Sequence, residues 1–143
     1  MKRIRVGQIG IGHDHAFPIY ESVRRLSDEY ELVGIAIEEP SEGELSNPSA
    51  RPLENYADTP VYTIDELLSM ELDAVIVETN DVNSTRHAIR ALERGVPVHM
   101  DKPGGTSLAD FEHMVALAMK ESVSVTSLSR MKEPMTPQGA TSE

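Results

Sequence analysis

Apolar residues gather here in short unbroken blocks, separated by stretches in which they recur every three or four residues, and the two patterns alternate along the chain. Ile4 to Ile9 predicts a first strand that runs straight into Gly10-Ile11-Gly12. Ile19, Val23 and Leu26 then share one helical face and predict a helix from Ala16 to Ser27. Pro18 falls in its first turn, where a missing N–H costs little. Leu32 to Ile37 is short enough for a second strand. Ala74 to Val77 is an apolar block without alternation, which suits a parallel strand covered on both faces.

The remaining segments fill in the order. From 38 to 60, six acids (Glu38, Glu39, Glu42, Glu44, Glu54, Asp58) mix with Pro40, Pro48, Pro52 and Pro60, which predicts a solvated loop with a short helix near Ser49 to Tyr56. Val61-Tyr62 reads as a brief strand and Ile64 to Met70 as a short helix. Thr85 to Arg94 reads as a helix with Ile89 and Leu92 on one face and Arg86, Arg90 and Arg94 on another; Gly95 is its C-cap. Val96 to Met100 predicts a strand. Ser107 and Asp110 have N-cap spacing for a helix to about Lys120, and Ser122 to Leu128 predicts a last strand. Strands alternating with helices imply an α/β fold: a doubly wound parallel sheet with right-handed crossovers, in three layers, α/β/α. One domain over residues 1–129 is expected, with a disordered tail over 130–143.

Composition narrows the partners. A net charge of −11 argues against nucleic acid and anionic membranes, while leaving room for a phosphate held by backbone N–H groups. The absence of cysteine excludes disulfides, thiolate zinc sites and a thiol nucleophile. No apolar run approaches the ~20 residues of a membrane span, and the residues after Met1-Lys2-Arg3 are too polar for a signal peptide, so a cytoplasmic location is expected.

The strongest local motif is Gly10-Ile11-Gly12-His13-Asp14-His15, between the first strand and the first helix. Gly10 and Gly12 take the first two places of the G-x-G-x-x-G turn of a Rossmann-like dinucleotide-binding fold. The first glycine permits the bend and the second lets a diphosphate approach the helix N-terminus. His15 stands where the third glycine would be. The competing reading is a strand-to-helix turn that needs glycine only for its backbone angles. Glu38, just past the second strand, is the candidate for the adenosine ribose hydroxyls; its charge would repel a 2′-phosphate and favour NAD over NADP.

Leu72-Asp73-Ala74-Val75-Ile76-Val77, followed by Ala91-Leu92-Glu93-Arg94-Gly95-Val96-Pro97-Val98-His99-Met100-Asp101-Lys102-Pro103, resembles the glucose–fructose oxidoreductase / inositol dehydrogenase (Gfo/Idh/MocA) family, with its D-A-V strand, A-L-x-x-G-K-x-V segment and E-K-P signature. The resemblance spans about Ile4 to Leu128. It implies an NAD- or NADP-dependent oxidoreductase that moves a hydride between nicotinamide and the hydroxyl or keto group of a sugar-like molecule. By the same resemblance Lys102 is the catalytic residue beside the nicotinamide. Asp101 replaces the usual Glu, and Thr79 and Asn80 lie in the loop that contacts the cofactor.

Several positions depart from the family pattern. Ile37 stands where an acid is common, and Asn80, Asp81 and Ser84 replace the proline, asparagine and histidine of T-P-N-x-x-H; His87, three residues on, reads as a helix-surface residue. The family continues into a second α/β domain that walls the substrate pocket and mediates pairing. Thirteen residues after Arg130 do not hold one. The expectation is therefore a cofactor-binding domain inactive by itself, associating with a second copy or a partner subunit. The alternatives are a non-catalytic dinucleotide-binding or regulatory module and a truncated remnant. His13-Asp14-His15 and His99-x-Asp101 match no zinc spacing and read as cofactor-lining groups, so no metal is expected.

Overall fold

The computed structural model describes residues 2–38, 50–56, 58–101, 105–121 and 124–127. Lys102, the acidic stretch 39–49 and the expected tail 130–143 lie outside them. Six parallel strands form the sheet: β1 (Ile4–Ile9), β2 (Tyr30–Ala36), β3 (Val61–Tyr62), β4 (Ala74–Val77), β5 (Val98–Met100) and β6 (Val125–Ser127). Their spatial order is β3-β2-β1-β4-β5-β6. The chain winds outward from β1 one way and from β4 the other, so the switch point lies between them, where an open α/β sheet opens its ligand crevice. The helices are α1 (Ala16–Arg25), α2 (Ile64–Leu68), α3 (Asp81–Leu92) and α4 (Leu108–Glu121), with a 3-10 turn at Leu53–Tyr56. The alternation expected from sequence is met element for element.

Strand side chains alternate between faces, and here the two faces differ in character. Ile9, Val75, Val77, Val98 and Met100 point to the main core, packed by Leu67 of α2, Ala88, Ala91 and Leu92 of α3, and Met114 and Ala118 of α4. On the other face Val6 and Ile76 meet Val23 of α1. Tyr20, Ile35 and Tyr56 extend this layer toward the 3-10 turn, with the Tyr20 and Tyr56 rings 4.5 Å apart. Burying these apolar faces supplies the main drive for folding. Between Val6 and Gly7 the β1–β2 register shifts by one residue, so Val33 bulges and the pairing resumes at Gly7–Gly34.

Boundaries differ from expectation where caps or proline outweigh periodicity. The third helix starts at Asp81 rather than Thr85 because the Asn80 side chain accepts the Asn83 N–H at 3.0 Å. Pro97 has no N–H, and the Val96 N–H goes to Ala91 O at 3.1 Å behind the left-handed Gly95 (φ 73°), so β5 starts at Val98 rather than Val96. Thr63 and Glu66 form a capping box that starts α2, a T-x-x-E signal visible in the sequence. Ser107 caps α4 as its spacing implied, its Oγ accepting the Asp110 N–H at 3.2 Å.

His87 corrects the expectation of a helix-surface residue. It lies on the inward side of α3, 1% exposed, and burial pushes its pKa down to about 4, against the pull of the Glu38 carboxylate and with the push of Arg86 and Arg90. The helix runs four residues further toward its N-terminus than periodicity showed, and His87 shares the buried face of Ala88, Ala91 and Leu92.

Two outcomes follow from these packing facts. Gly10 has φ 92°, and a Cβ there would stand 2.3 Å from Thr79 Cγ2. Left-handed strain and overpacking together make Gly10→Ala destabilising by about 3 kcal/mol, readable in urea denaturation; a variant as stable as wild type contradicts the close packing. For His87, the unfolded chain takes up a proton near pH 6.5 and the folded chain only near pH 4, so its contribution is present above 6.5 and is lost as pH falls through that window. Between pH 7.5 and 5.5 wild type should lose about 1 kcal/mol relative to His87→Gln. Equal losses in both proteins would show that His87 is protonated when folded.

Candidate functional site

The site lies where β1, β4 and β5 end. Ile9 pairs with Val77, and Val77 with Met100, so the three strands are in register at their last residues. One residue further, Gly10, Glu78 and Asp101 form the next row, on the α1 side of the sheet. The ladder continues into that row: the Gly10 N–H donates to Ala36 O and the Glu78 N–H to Ile9 O, each at 2.8 Å. Behind it, buried Gln8 donates through Nε2 to Gly10 O at 3.1 Å and Ala16 O at 3.3 Å, tying the strand tip to the start of α1.

The glycine turn brings its residues into this row. Gly12 is buried, Ile11 packs at the edge of the Tyr20–Ile35–Tyr56 cluster, and Asp14 is exposed. The His13 N–H donates to Glu78 O at 3.1 Å, fixing the turn over β4. His15 occupies the N-cap of α1 without a side-chain capping bond, and the first turn of α1 carries no acid. The positive end of that helix is thus turned to the crevice without a carboxylate cap, which suits an anion. His15 reaches across instead, its Nδ1 2.5 Å from Asp101 Oδ2.

Electrostatics beneath the turn are unusual for an anion site. Glu78 is 0% exposed, and burial together with the neighbouring Asp101 carboxylate pushes its pKa up to about 8. His13 Nδ1 stands 3.3 Å from Asp101 Oδ2 and 3.6 Å from Glu78 Oε2. Glu78 was not singled out by sequence reasoning. Its signal was available: an acid directly after a four-residue apolar strand, at the C-terminal edge where a doubly wound sheet binds ligands. His99, weighed beside Asp101 as a ligand, stays outside the cluster, and burial lowers its pKa.

The other expected residues divide. Thr79 is buried, donating through Oγ1 to Asn80 O at 3.2 Å, and Asn80 caps α3. Both sit at the crevice, yet each already has a role in the fold. Glu38 is drawn to α3 instead: its carboxylate meets Arg86 at 2.9 Å, Arg90 at 3.5 Å and His87 at 3.6 Å. Arg90 is held more closely by Asp65, at 2.8 Å, so Arg86 is the main counter-charge of Glu38, and the acid so paired does not by itself choose NAD over NADP. Lys102 follows Asp101 outside the described residues. On the diphosphate side the turn has a form that suits a dinucleotide: a left-handed glycine, a buried second glycine and a helix N-terminus without a side-chain cap converge at the switch point, while the His13, His15 and Ala16 N–H groups are bonded within the protein.

Comparison with known proteins agrees with this geometry. No curated protein matches the chain. A family described as "Oxidoreductase family, NAD-binding Rossmann fold" (GFO_IDH_MocA) matches residues 4–128. Solved structures share the fold. The WlbA dehydrogenase from Bordetella pertussis in complex with NADH and UDP-GlcNAcA is 20% identical with TM-score 0.72, over 92% of this chain and 36% of that one. A dehydrogenase (MviM) from Clostridium difficile is 20% identical with TM-score 0.68, over 89% and 39%. UDP-N-acetylglucosamine 3-dehydrogenase GnnA from Acidithiobacillus ferrooxidans is 21% identical with TM-score 0.63, over 87% and 37%. The chain thus spans little more than a third of the length of these structures. Among its described residues no helix is long and apolar enough to cross a membrane. By strand order, glycine turn and matched span, the chain belongs to the Gfo/Idh/MocA oxidoreductase family and carries that family's NAD-binding Rossmann domain.

Proposed function

We propose that this chain is the cofactor-binding half of a nicotinamide-dependent oxidoreductase acting on a hydroxyl or keto group of a sugar-like substrate. The family match over residues 4–128 carries the reading, since it sets the β1–Gly10–α1 turn at the sheet's switch point. The neighbour bound to NADH and UDP-GlcNAcA supports a substrate of the sugar class.

In this reading the backbone from Gly10 through Ile11, Gly12, His13, Asp14 and His15 holds the diphosphate. Glu38, with Arg86 and Arg90 beside it, meets the adenosine ribose, an arrangement that admits either NAD or NADP. Thr79, Asn80 and Asp101 line the nicotinamide end. The nicotinamide, when bound, supplies the hydride acceptor. Lys102 takes or returns the hydroxyl proton, as a lysine of tunable pKa can. These 143 residues span little more than a third of the structures they resemble, and by themselves they are expected to bind cofactor weakly and to turn over nothing.

A second reading, a non-catalytic dinucleotide-binding module, draws on Ile37, Ser84 and the roles Thr79 and Asn80 already have in the fold. Fluorescence titration with NADH and NADPH, followed by assay with a panel of sugars and sugar nucleotides, separates the two. Binding with Kd of roughly 0.1 mM is expected, weakened at least about tenfold in Gly12→Val. Joining the chain to a family substrate domain should restore turnover that Lys102→Ala removes. Binding without restored turnover favours the non-catalytic module, and no binding of either nucleotide defeats both readings.

A further inference from the structure

His13, His15 and Asp101 each place a potential metal-ligand atom within 4.8 Å of the others, and they come from two segments 86 residues apart in the chain. Glu78, from the β4–α3 loop, reaches the same space, with Oε2 3.6 Å from His13 Nδ1. Dinucleotide binding as described above uses the backbone of this turn and leaves the imidazoles and the buried carboxyl of Glu78 without a task.

The atoms that converge here are electron-rich. An amide N–H can only donate, so the 3.1 Å bond from the His15 N–H makes His13 Nδ1 an acceptor. That bond takes the nitrogen's single lone pair, so an ion bound through His13 Nδ1 displaces it; Asp101 Oδ2 lies 3.3 Å and Glu78 Oε2 3.6 Å from the same nitrogen. Glu78 is wholly buried with its carboxyl group hydrogen-bonded to Asp101, and neither of its oxygens meets an N–H or hydroxyl donor among the described residues. Two buried carboxyl groups held against each other are satisfied by a shared proton, and a divalent cation is another way to satisfy both.

Distances suit a small ion. Zinc bonds of about 2.0–2.2 Å to nitrogen and oxygen put the donor–donor edges of a tetrahedron at about 3.3–3.6 Å. The two His13 separations are close to such edges. The shorter His15–Asp101 contact is a hydrogen bond that an ion would replace, and the His15 side chain, one-third exposed, has room to swing outward. Two imidazoles with two carboxylates are donors suited to zinc and its neighbours in the first transition row.

We propose that His13, His15, Glu78 and Asp101 bind one divalent transition-metal ion, zinc by geometry, beneath the glycine turn. The ion lies between the carboxyl groups of Glu78 and Asp101, beneath the anion-binding end of α1. The proposal stands apart from the cofactor reading, because metal binding is measured with no nucleotide present.

The test uses the whole 143-residue chain after treatment with a chelator. Calorimetric titration with Zn²⁺ should give one ion per chain at micromolar affinity or tighter, with a rise in Tm. Co²⁺ should give the strong visible absorption of a four-coordinate ion. His15→Ala and Glu78→Gln should each weaken binding by at least about tenfold, the size of effect seen even for outer partners of a metal ligand. His113→Ala, on the exposed surface of α4, should leave it unchanged. Should Glu78→Gln fail to fold by circular dichroism, His15→Ala decides alone. Millimolar binding in wild type, or affinity unchanged by His15→Ala, overturns the proposal.

Discussion

In-register parallel pairing of β1, β4 and β5 governs the rest of this molecule. Because Ile9, Val77 and Met100 end their strands at one level, the next residue of each strand joins a single row on the side of α1. Glycine takes the first place in that row and carboxylates take the other two. Thr79, directly after Glu78, presses its methyl group on Gly10, so a larger residue at position 10 would separate the strand tips that form the row. The glycine therefore has a packing duty, whatever the turn above it binds.

The two faces of the sheet divide the work of stability and chemistry. On one face aliphatic strand residues meet α2, α3 and α4 in a continuous core. On the other α1 covers Val6 and Ile76, while Gln8, Glu78, His99 and Asp101 fill the space toward the strand ends with buried polar groups. Such groups are costly unless satisfied, and natural folds keep them chiefly where they act. Their concentration on the crevice side separates this site from an ordinary strand-to-helix turn.

Charge beside the second strand shows how a neighbouring helix alters a local reading. Glu38 alone would repel a phosphate. Held against Arg86, with Arg90 and His87 close by, its charge is largely offset. The charge at the end of β2 is therefore set jointly with α3, and no single acid decides it.

Much of the fold was legible in the linear order. Ile4–Ile9 and the apolar block Ala74–Val77 are strands with the expected limits; the second fits because a buried parallel strand needs apolar side chains on both faces and little else. Gly10 and Gly95 announced a bend and a helix end for the same kind of reason, since only the backbone beside them was at stake. The helix from Asp81 was legible only from Thr85, because its first turn is held by the Asn80 cap rather than by an apolar face. The site was less legible than the fold. Sequence marked His13, His15 and Asp101 as separate motifs, passed over Glu78, and placed His87 on the surface. Contact among them depends on the register of strands more than twenty residues apart and on which face each side chain takes. Those are properties of the assembled sheet, and no local pattern of residues encodes them.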